Sequence, residues 1–180
     1  MGNTGANVQR TPSQTVGPFF HEALRWKDGG RVTFAEPGER VVLVGRLLDG
    51  AGQPMADALV ETWQLSPSGN VPAAAPGASK PHGFGRVETT KDGTFRIETL
   101  KPGGDGAPFI AVAILARGLL KALRTQVYLA PESRVRADPG LGPLASSSRL
   151  ATLIAQSAGG GQFRWDVRVQ GDGETIFFAT

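Results

Sequence analysis

Two strand-like runs near the centre of the chain give the strongest structural signal. The first is an almost unbroken apolar run, Phe109–Ala116, and the second ends at Tyr128 after a polar tip over 117–121. Pro and Gly residues precede the first run, a pattern typical of a strand buried on both faces within a core. The pattern therefore predicts a central β-hairpin around which the rest of the chain is arranged.

Shorter patterned segments on either side of this hairpin predict further strands. These strands are expected at 41–48, 58–64, 85–90, 95–100, 163–170 and 175–178. Segment 66–83 is rich in Pro, Ala and Gly without periodicity, so a long loop is expected there. Segment 130–146 is also expected to be irregular. One helix is expected after Ser147 or Ser148 as its N-cap, ending at the glycine-rich stretch 157–161.

Strands at regular intervals with a single brief helix are typical of an all-β fold. We expect a β-sandwich of two mixed sheets with long irregular loops and one short helix. Strands 85–90 and 95–100 are expected to pair as a hairpin around the turn 91–94. A chain of 180 residues is long enough for one well-buried core. The expected organisation is a flexible tail over 1–10 and one domain over 11–180, which begins with an N-terminal arm over 11–38.

Composition excludes several classes of function. The chain has no cysteine, which excludes disulfides and thiolate metal sites. Its formal net charge is +3 and its basic residues are scattered, unlike the clustered charge of a nucleic-acid-binding protein. No apolar run approaches the ~20 residues that a membrane-spanning helix needs, and the first ten residues lack the apolar segment of a secretory signal. We therefore expect no nucleic-acid or membrane partner and a cytoplasmic location.

Residues with catalytic or ligating side chains do not form a complete site by their spacing alone. His21 and His82 lie far apart in irregular segments, so each is better interpreted as a solvated side chain than as a metal ligand. Glu61, Glu88 and Glu98 alternate along strands opposite arginines, which is typical of cross-strand charge pairs at a surface. The sequence has neither a Gly-x-Ser-x-Gly motif nor a glycine-rich phosphate loop. Spacing and composition therefore indicate no self-sufficient active site.

Longer motifs that are typical of one protein family are spread along almost the whole chain beyond residue 10. They are Thr-Pro-Ser-Gln-Thr-Val-Gly-Pro-Phe from residue 11, Val-Gly-Arg-Leu-Leu-Asp-Gly from 44, Val-Glu-Thr-Trp-Gln from 60, Gly-Phe-Gly-Arg from 83, Asp-Gly-Thr-Phe from 92 and Thr-Leu-Lys-Pro-Gly from 99. Together they resemble the intradiol aromatic-ring dioxygenases. Two further motifs resemble the alpha chains of heteromeric members of that family. They are the closing Trp-Asp-Val-Arg-Val-Gln-Gly-Asp-Gly from 165 and the Ala-Arg-Gly-Leu-Leu tip from 116.

The resemblance implies that the iron site of the family is lost from this chain. In the family, two tyrosines and two histidines hold a catalytic ferric ion, and in heteromeric members these ligands belong to the beta subunit. The matching positions here carry Val71, Asp105, Phe109 and Ala111, and the only tyrosine, Tyr128, lies elsewhere. Ferric iron requires anionic oxygen and imidazole donors. We therefore expect no bound metal or cofactor and no catalytic residue in this chain, with Fe(III) held by a beta partner.

The resemblance also implies that this chain lines the active site of its partner. Position by position, Thr15, Gly17 and Pro18 match an N-terminal segment that forms part of the substrate-pocket wall. An arginine expected at the pocket mouth is replaced by Gln126, while Arg124 lies two residues earlier and points to the same face of its strand. Arg124 is either a source of positive field for the substrate carboxylate or an ordinary surface arginine.

The function implied by the resemblance is cleavage of protocatechuate with O2 to give 3-carboxy-cis,cis-muconate in the β-ketoadipate pathway. Protocatechuate and O2 would meet at the interface with the beta subunit. An alternative is a carboxypeptidase-regulatory or transthyretin-like β-sandwich module that binds without catalysis, because segment 44–58 and the Asp-Gly-Thr-Phe motif also resemble such modules. That alternative accounts only for the middle third of the chain. A third interpretation is a homo-oligomeric relic with no active partner.

Overall fold

The computed structural model describes residues 12–73 and 81–179, and these residues form eight strands and four short helices. The strands are β1 (Arg40–Leu48), β2 (Ala58–Trp63), β3 (Phe84–Glu88), β4 (Thr94–Leu100), β5 (Phe109–Ala116), β6 (Leu123–Tyr128), β7 (Gln156–Gly159) and β8 (Gln162–Arg168). The helices are α1 (Phe20–Ala23), α2 (Glu132–Arg136) and two 3-10 helices, Pro139–Ser146 and Ser148–Leu153. The predicted flexible tail over 1–10 lies outside the described residues.

The strands form two four-stranded sheets that pack face to face. The first sheet has the order β4-β1-β8-β7, and the second has the order β3-β2-β5-β6. In the first sheet β1 is antiparallel to β4 and parallel to β8, whereas every pairing in the second sheet is antiparallel. The predicted all-β sandwich is confirmed, although only the first of its sheets is mixed.

The main core lies between the two sheets and is built from alternate positions of their strands. Its fully buried members include Leu43, Leu47, Ile97, Ile110, Ile114, Val127 and Val167. Gly45 on β1 faces Phe95 on β4, and a Cβ atom at residue 45 would lie only 2.0 Å from the Phe95 ring. The aromatic ring therefore occupies the space that a side chain at position 45 would need, and this contact requires glycine.

The central hairpin forms as predicted from β5 and β6, but its outer face is not covered by the described chain. Ile110, Val112 and Ile114 point inward and are buried, whereas the alternate residues of β5 are partly exposed. Phe109 retains 37% of its accessible surface. The prediction of burial on both faces is therefore wrong, because the described part of the chain covers only one face of β5 with a sheet.

The predicted pairing of 85–90 with 95–100 is also wrong. The turn itself is present, since the Thr90 amide donates to the Thr94 carbonyl at 2.8 Å. However, β3 joins the second sheet through β2, and β4 joins the first sheet through β1. The turn thus passes the chain from one sheet to the other, because each strand finds its hydrophobic partner in a different layer.

The structure contains more helix than the single one predicted. Ser147 is the N-cap of the helix Ser148–Leu153, as expected, and its side chain accepts a hydrogen bond from the Arg149 amide at 3.2 Å. The segment predicted as irregular contains α2 and a 3-10 helix, and the glycines after the last helix lie in β7 and its turn. The predicted strand 175–178 contributes only an isolated bridge to Arg124. Throughout the described ranges, no helix is both long and apolar enough to cross a membrane.

Candidate functional site

The four matched ligand positions, Val71, Asp105, Phe109 and Ala111, lie in or next to one end of the second sheet. Ala111 is the register partner of Trp63 at the end of β2, so β2 ends where β5 begins. The two loops that leave this end contact each other, because the Gly103 amide donates to the Ser66 carbonyl at 3.0 Å. This backbone hydrogen bond holds the two loops together next to the matched ligand positions.

The side chains at these positions do not fit a ferric ion. Val71 and Phe109 are apolar and exposed, Ala111 has no donor atom, and the Asp105 carboxylate is the only oxygen donor among the four. The Phe109 ring packs against Tyr128 with the ring centroids 5.7 Å apart, which is an aromatic packing contact. Over the described parts of the chain, no group of three or more His, Cys, Asp or Glu side chains could hold a metal ion. One carboxylate cannot replace a set of oxygen and imidazole ligands.

Gln126 and Tyr128 form a polar pair on β6 next to these positions. The Gln126 Nε2 atom donates to the Tyr128 hydroxyl at 2.6 Å. Burial raises the pKa of Tyr128 to about 12, the negative charge of Asp138 adds to the shift, and the hydrogen bond from Gln126 opposes it. The phenol therefore stays neutral at physiological pH, and one donor of the Gln126 amide is used within the chain.

Thr15 fixes the N-terminal arm to the tip of the central hairpin. Its Oγ1 atom donates to the Ala116 carbonyl at 3.2 Å and accepts from the Gly118 amide at 3.2 Å. Farther along the arm, Phe20 is buried, with only 2% of its surface accessible. Two anchors thus hold the arm on either side of its central residues.

The residues between these anchors face away from the rest of the chain. Gly17 has φ of +80°, and no atom of the described residues lies within 4 Å of the place where its Cβ would be. Pro18 is exposed, and Phe19 is 72% exposed. The arm therefore presents Gly17, Pro18 and Phe19 as an ordered but uncovered surface.

The structure separates the predicted pocket residues into two groups. Arg124 is exposed on the outer face of β6 opposite Ala113, and Gln126 lies two residues farther along, opposite Ala111. Thr15 donates to the Ala116 carbonyl on β5. Ala116 lies three residues, or ~10 Å, along β5 from Ala113, which is the register partner of Arg124. Arg124 thus lies in the half of the hairpin that anchors the arm. Gln126 lies nearer to the matched ligand positions.

The cross-strand ion pair expected at Glu61 is present on the outer face of the second sheet, but it is half-buried and not at the surface. Arg86 Nη2 lies 2.7 Å from Glu61 Oε1, and both side chains are only about one-fifth exposed. The Arg86 guanidinium also lies 4.7 Å from the ring centroid of Trp26 and 5.4 Å from that of Phe84. The alternating charges in the sequence indicated this pair, but they did not indicate that its side chains are largely buried.

The other two carboxylates singled out in the sequence are also paired with arginines. Glu88 Oε2 lies 3.0 Å from the guanidinium of Arg25, and Glu98 Oε1 lies 3.1 Å from that of Arg96. The Arg96 and Glu98 side chains are about half exposed, and pairs of this kind contribute little to stability. Both carboxylates are paired as expected, but neither pair is cross-strand, because Arg96 and Glu98 lie on the same strand and Arg25 lies in the arm.

His82 and Glu36 lie in a cavity of about 210 Å³ that Val71 also lines. The His82 side chain is partly exposed, but its Nδ1 atom is buried without a hydrogen-bond partner in the described structure. Hydrogen bonds from the Ser66 hydroxyl and then from Ser68 lower the pKa of Glu36. The carboxylate is therefore held in its charged form by local hydroxyl and amide donors.

Comparison with known proteins finds similarity over nearly the whole chain. A family model described as "Dioxygenase" matches residues 15–113. The protocatechuate 3,4-dioxygenase alpha chain of Burkholderia cepacia is 40% identical over 193 residues, covering 95% of this chain and 98% of the relative. The protocatechuate 3,4-dioxygenase beta chain of the same organism is 34% identical over 97 residues, which is 51% of this chain and 40% of that one.

A solved structure with the same fold is the dioxygenase domain of a dioxygenase–carbohydrate-binding fusion protein from Streptomyces sp. SirexAA-E. It superposes with a TM-score of 0.58 at 25% identity, covering 91% of this chain and 99% of that domain. Similarity of this extent includes the arm and the C-terminal segment, which the carboxypeptidase-regulatory or transthyretin-like alternative left unexplained.

Proposed function

Because the chain belongs to the intradiol ring-cleavage dioxygenase family, we propose that it is the iron-free alpha subunit of a heteromeric protocatechuate 3,4-dioxygenase. The enzyme would convert protocatechuate and O2 into 3-carboxy-cis,cis-muconate. One observation carries this proposal: a chain with near full-length similarity to an alpha chain has no donor atom at Val71, Phe109 or Ala111. A cytoplasmic location and a place in the β-ketoadipate pathway follow from this reaction.

The proposal divides the enzyme's work between two chains. It assigns Fe(III), and with it the activation of the catechol ring toward O2, to the beta subunit, and it assigns no step of ring cleavage to this chain. Partial similarity to a beta chain supports a partner of the same fold. The aromatic side chains of Trp63 and Phe109 are 49% and 37% exposed on the outer face of the second sheet. Burial against a partner would remove this apolar surface from water.

The arm is the part of this chain that we assign to the substrate-pocket wall. Thr15 holds it against the hairpin tip, and the positive φ of Gly17 lets the backbone turn outward without a side chain. Pro18 then fixes its own φ and so the direction in which the chain leaves the turn. A wall built in this way can approach a flat aromatic substrate closely while keeping a fixed shape.

Arg124 is the residue that we assign to attraction of the substrate carboxylate. It is exposed, and within residues 12–73 and 81–179 no carboxylate forms an ion pair with it. Gln126, at the position where the family resemblance expects the arginine, is neutral and tied to Tyr128. A free guanidinium two residues away on the same strand face would restore a positive field at the pocket mouth.

Co-expression with a beta-like chain from the neighbouring gene tests this function. The expected result is a stable complex that consumes O2 when protocatechuate is added, while the isolated chain consumes none. Failure of the chain to co-purify with any beta-like chain would overturn the proposal.

A further inference from the structure

A groove on the outer face of the first sheet is not used by the site described above. It has a volume of about 530 Å³ and crosses β1 and β8 toward the end of the helix Ser148–Leu153. Val44 and Arg46 line it from β1, Arg164 lines it from β8, and Ile154 and Gln156 line it from beyond the helix. None of the arm residues, Arg124 or the matched ligand positions lines this groove, so it is a separate feature.

The groove carries two cationic side chains with no ion-pair partner in the described structure. In the register of the parallel pair β1–β8, Val44 faces Arg164 and Arg46 faces Asp166. Arg46 and Arg164 are therefore diagonal neighbours on one face, with Cα atoms roughly 8 Å apart from the strand and residue spacings. Both are exposed, and among residues 12–73 and 81–179 neither comes within 4 Å of a carboxylate, including the adjacent Asp166. Two long guanidinium side chains at this spacing can converge on a single anion.

Apolar and hydrogen-bonding side chains complete the groove. Val44 lies beside Arg164 and two residues before Arg46 on the sheet surface, and Ile154 adds an apolar wall. Gln156 and Gln162 contribute amide groups at the β7–β8 side. A volume of this size, lined by apolar groups with a few convergent polar ones, is in the range of sites for small organic ligands.

We propose that this groove binds a small organic carboxylate with a flat apolar body. The carboxylate lies between the Arg46 and Arg164 guanidinium groups, whose planar donors match carboxylate geometry. The apolar body lies on Val44 and against Ile154. Asp166 limits the net positive charge, so a singly charged ligand suits the groove better than a highly charged one. This inference does not depend on the function proposed above.

Calorimetric titration with benzoate tests the proposal, using the full chain or the chain with its partner. Inorganic phosphate is the comparison anion without an apolar body, and benzyl alcohol is the comparison ring without a charge. We expect saturable benzoate binding that weakens as salt is added, with much weaker binding of either comparison compound. Equal binding of phosphate would overturn the proposed ligand class, and the absence of any benzoate binding would overturn the site.

Variants of the two arginines locate the binding. Arg46→Gln and Arg164→Gln are each expected to weaken benzoate binding about tenfold, the loss of one charge-assisted hydrogen-bonding group. Arg40→Gln removes the same charge from the same face of β1 outside the groove and is expected to change the affinity less than about twofold. Because these residues are exposed, thermal unfolding should confirm that each variant is folded. Unchanged affinity in both groove variants would overturn the proposal and leave the co-purification test unaffected.

Discussion

The side-chain amide of Gln126 donates a hydrogen bond to the Tyr128 hydroxyl across 2.6 Å, on the strand that returns from the hairpin tip. Because the phenol is buried, this bond links a half-exposed residue to the interior of the domain. Gln126 is therefore held by its own chain, while Arg124 is left exposed on the same strand face. This arrangement underlies the assignment of the positive field to Arg124.

The buried phenol of Tyr128 should make stability depend on pH in the alkaline range. Its pKa is about 12 in the folded chain, compared with about 10 for an exposed tyrosine, so the unfolded chain loses this proton first as pH rises. The contribution is present below pH 10 and is lost as pH rises from 10 to about 12. Urea unfolding at pH 8 and pH 11.5 should therefore show a steeper loss of stability in the wild type than in Tyr128→Phe. Equal losses in the two proteins would contradict the assignment.

Replacement of Arg124 by Ala should weaken substrate capture in the assembled enzyme. We expect KM for protocatechuate to rise about threefold with little change in kcat, because the lost charge acts on the approach of the substrate anion. The dependence of KM on salt should also become weaker. Lys91→Ala removes an exposed charge in the turn after β3 and serves as the control. If Arg124→Ala left both KM and its salt dependence unchanged, Arg124 would be an ordinary surface arginine.

Replacement of Thr15 by Val should release the arm from the hairpin tip. The substitution keeps the branched shape but removes the hydroxyl that bonds the Ala116 carbonyl and the Gly118 amide. We expect the loss of about 1 kcal/mol of local anchoring energy and a several-fold rise in KM in the complex. Thr15→Ser retains the hydroxyl and should keep KM near the wild-type value. Steady-state kinetics of the two variants distinguish anchoring from simple occupation of space.

Replacement of Gly45 by Ala should destabilise the core without any link to the substrate pocket. The new Cβ would lie 2.0 Å from the Phe95 ring, so the ring or the strand must move. Overpacking of this kind costs about 1–3 kcal/mol. Gly50→Ala, where the nearest side-chain atom lies 3.4 Å from the modified position, should change the free energy of unfolding by less than about 0.5 kcal/mol. Denaturant unfolding of the two variants checks this difference.

Strand positions were predictable where the sequence pattern is local. The apolar run Phe109–Ala116 and the alternation in β8 both gave strands close to their observed bounds. The pattern could not reveal that one face of β5 is uncovered, because an apolar run looks the same whether its cover belongs to this chain or to another one. Exposure of Phe109 therefore became visible only in the structure.

Pairing between strands was less predictable than the strands themselves. The turn between β3 and β4 was correct, but a turn fixes only where the chain reverses, while layer packing decides which neighbour each strand joins. For the same reason, Arg86 pairs with Glu61 on β2, the strand that β3 joins in the sheet. The anchoring role of Thr15 was also beyond local reasoning, since its contacts lie about one hundred residues away in the sequence.

Metal analysis is the most direct test of whether this chain is an iron-free subunit that completes the site of its partner. The chain should be purified alone and together with its beta partner, with iron content and visible absorbance measured for each preparation. We expect a colourless, iron-free chain and a coloured complex with one ferric ion per alpha–beta pair. Stoichiometric iron and visible colour in the chain purified alone would contradict this expectation.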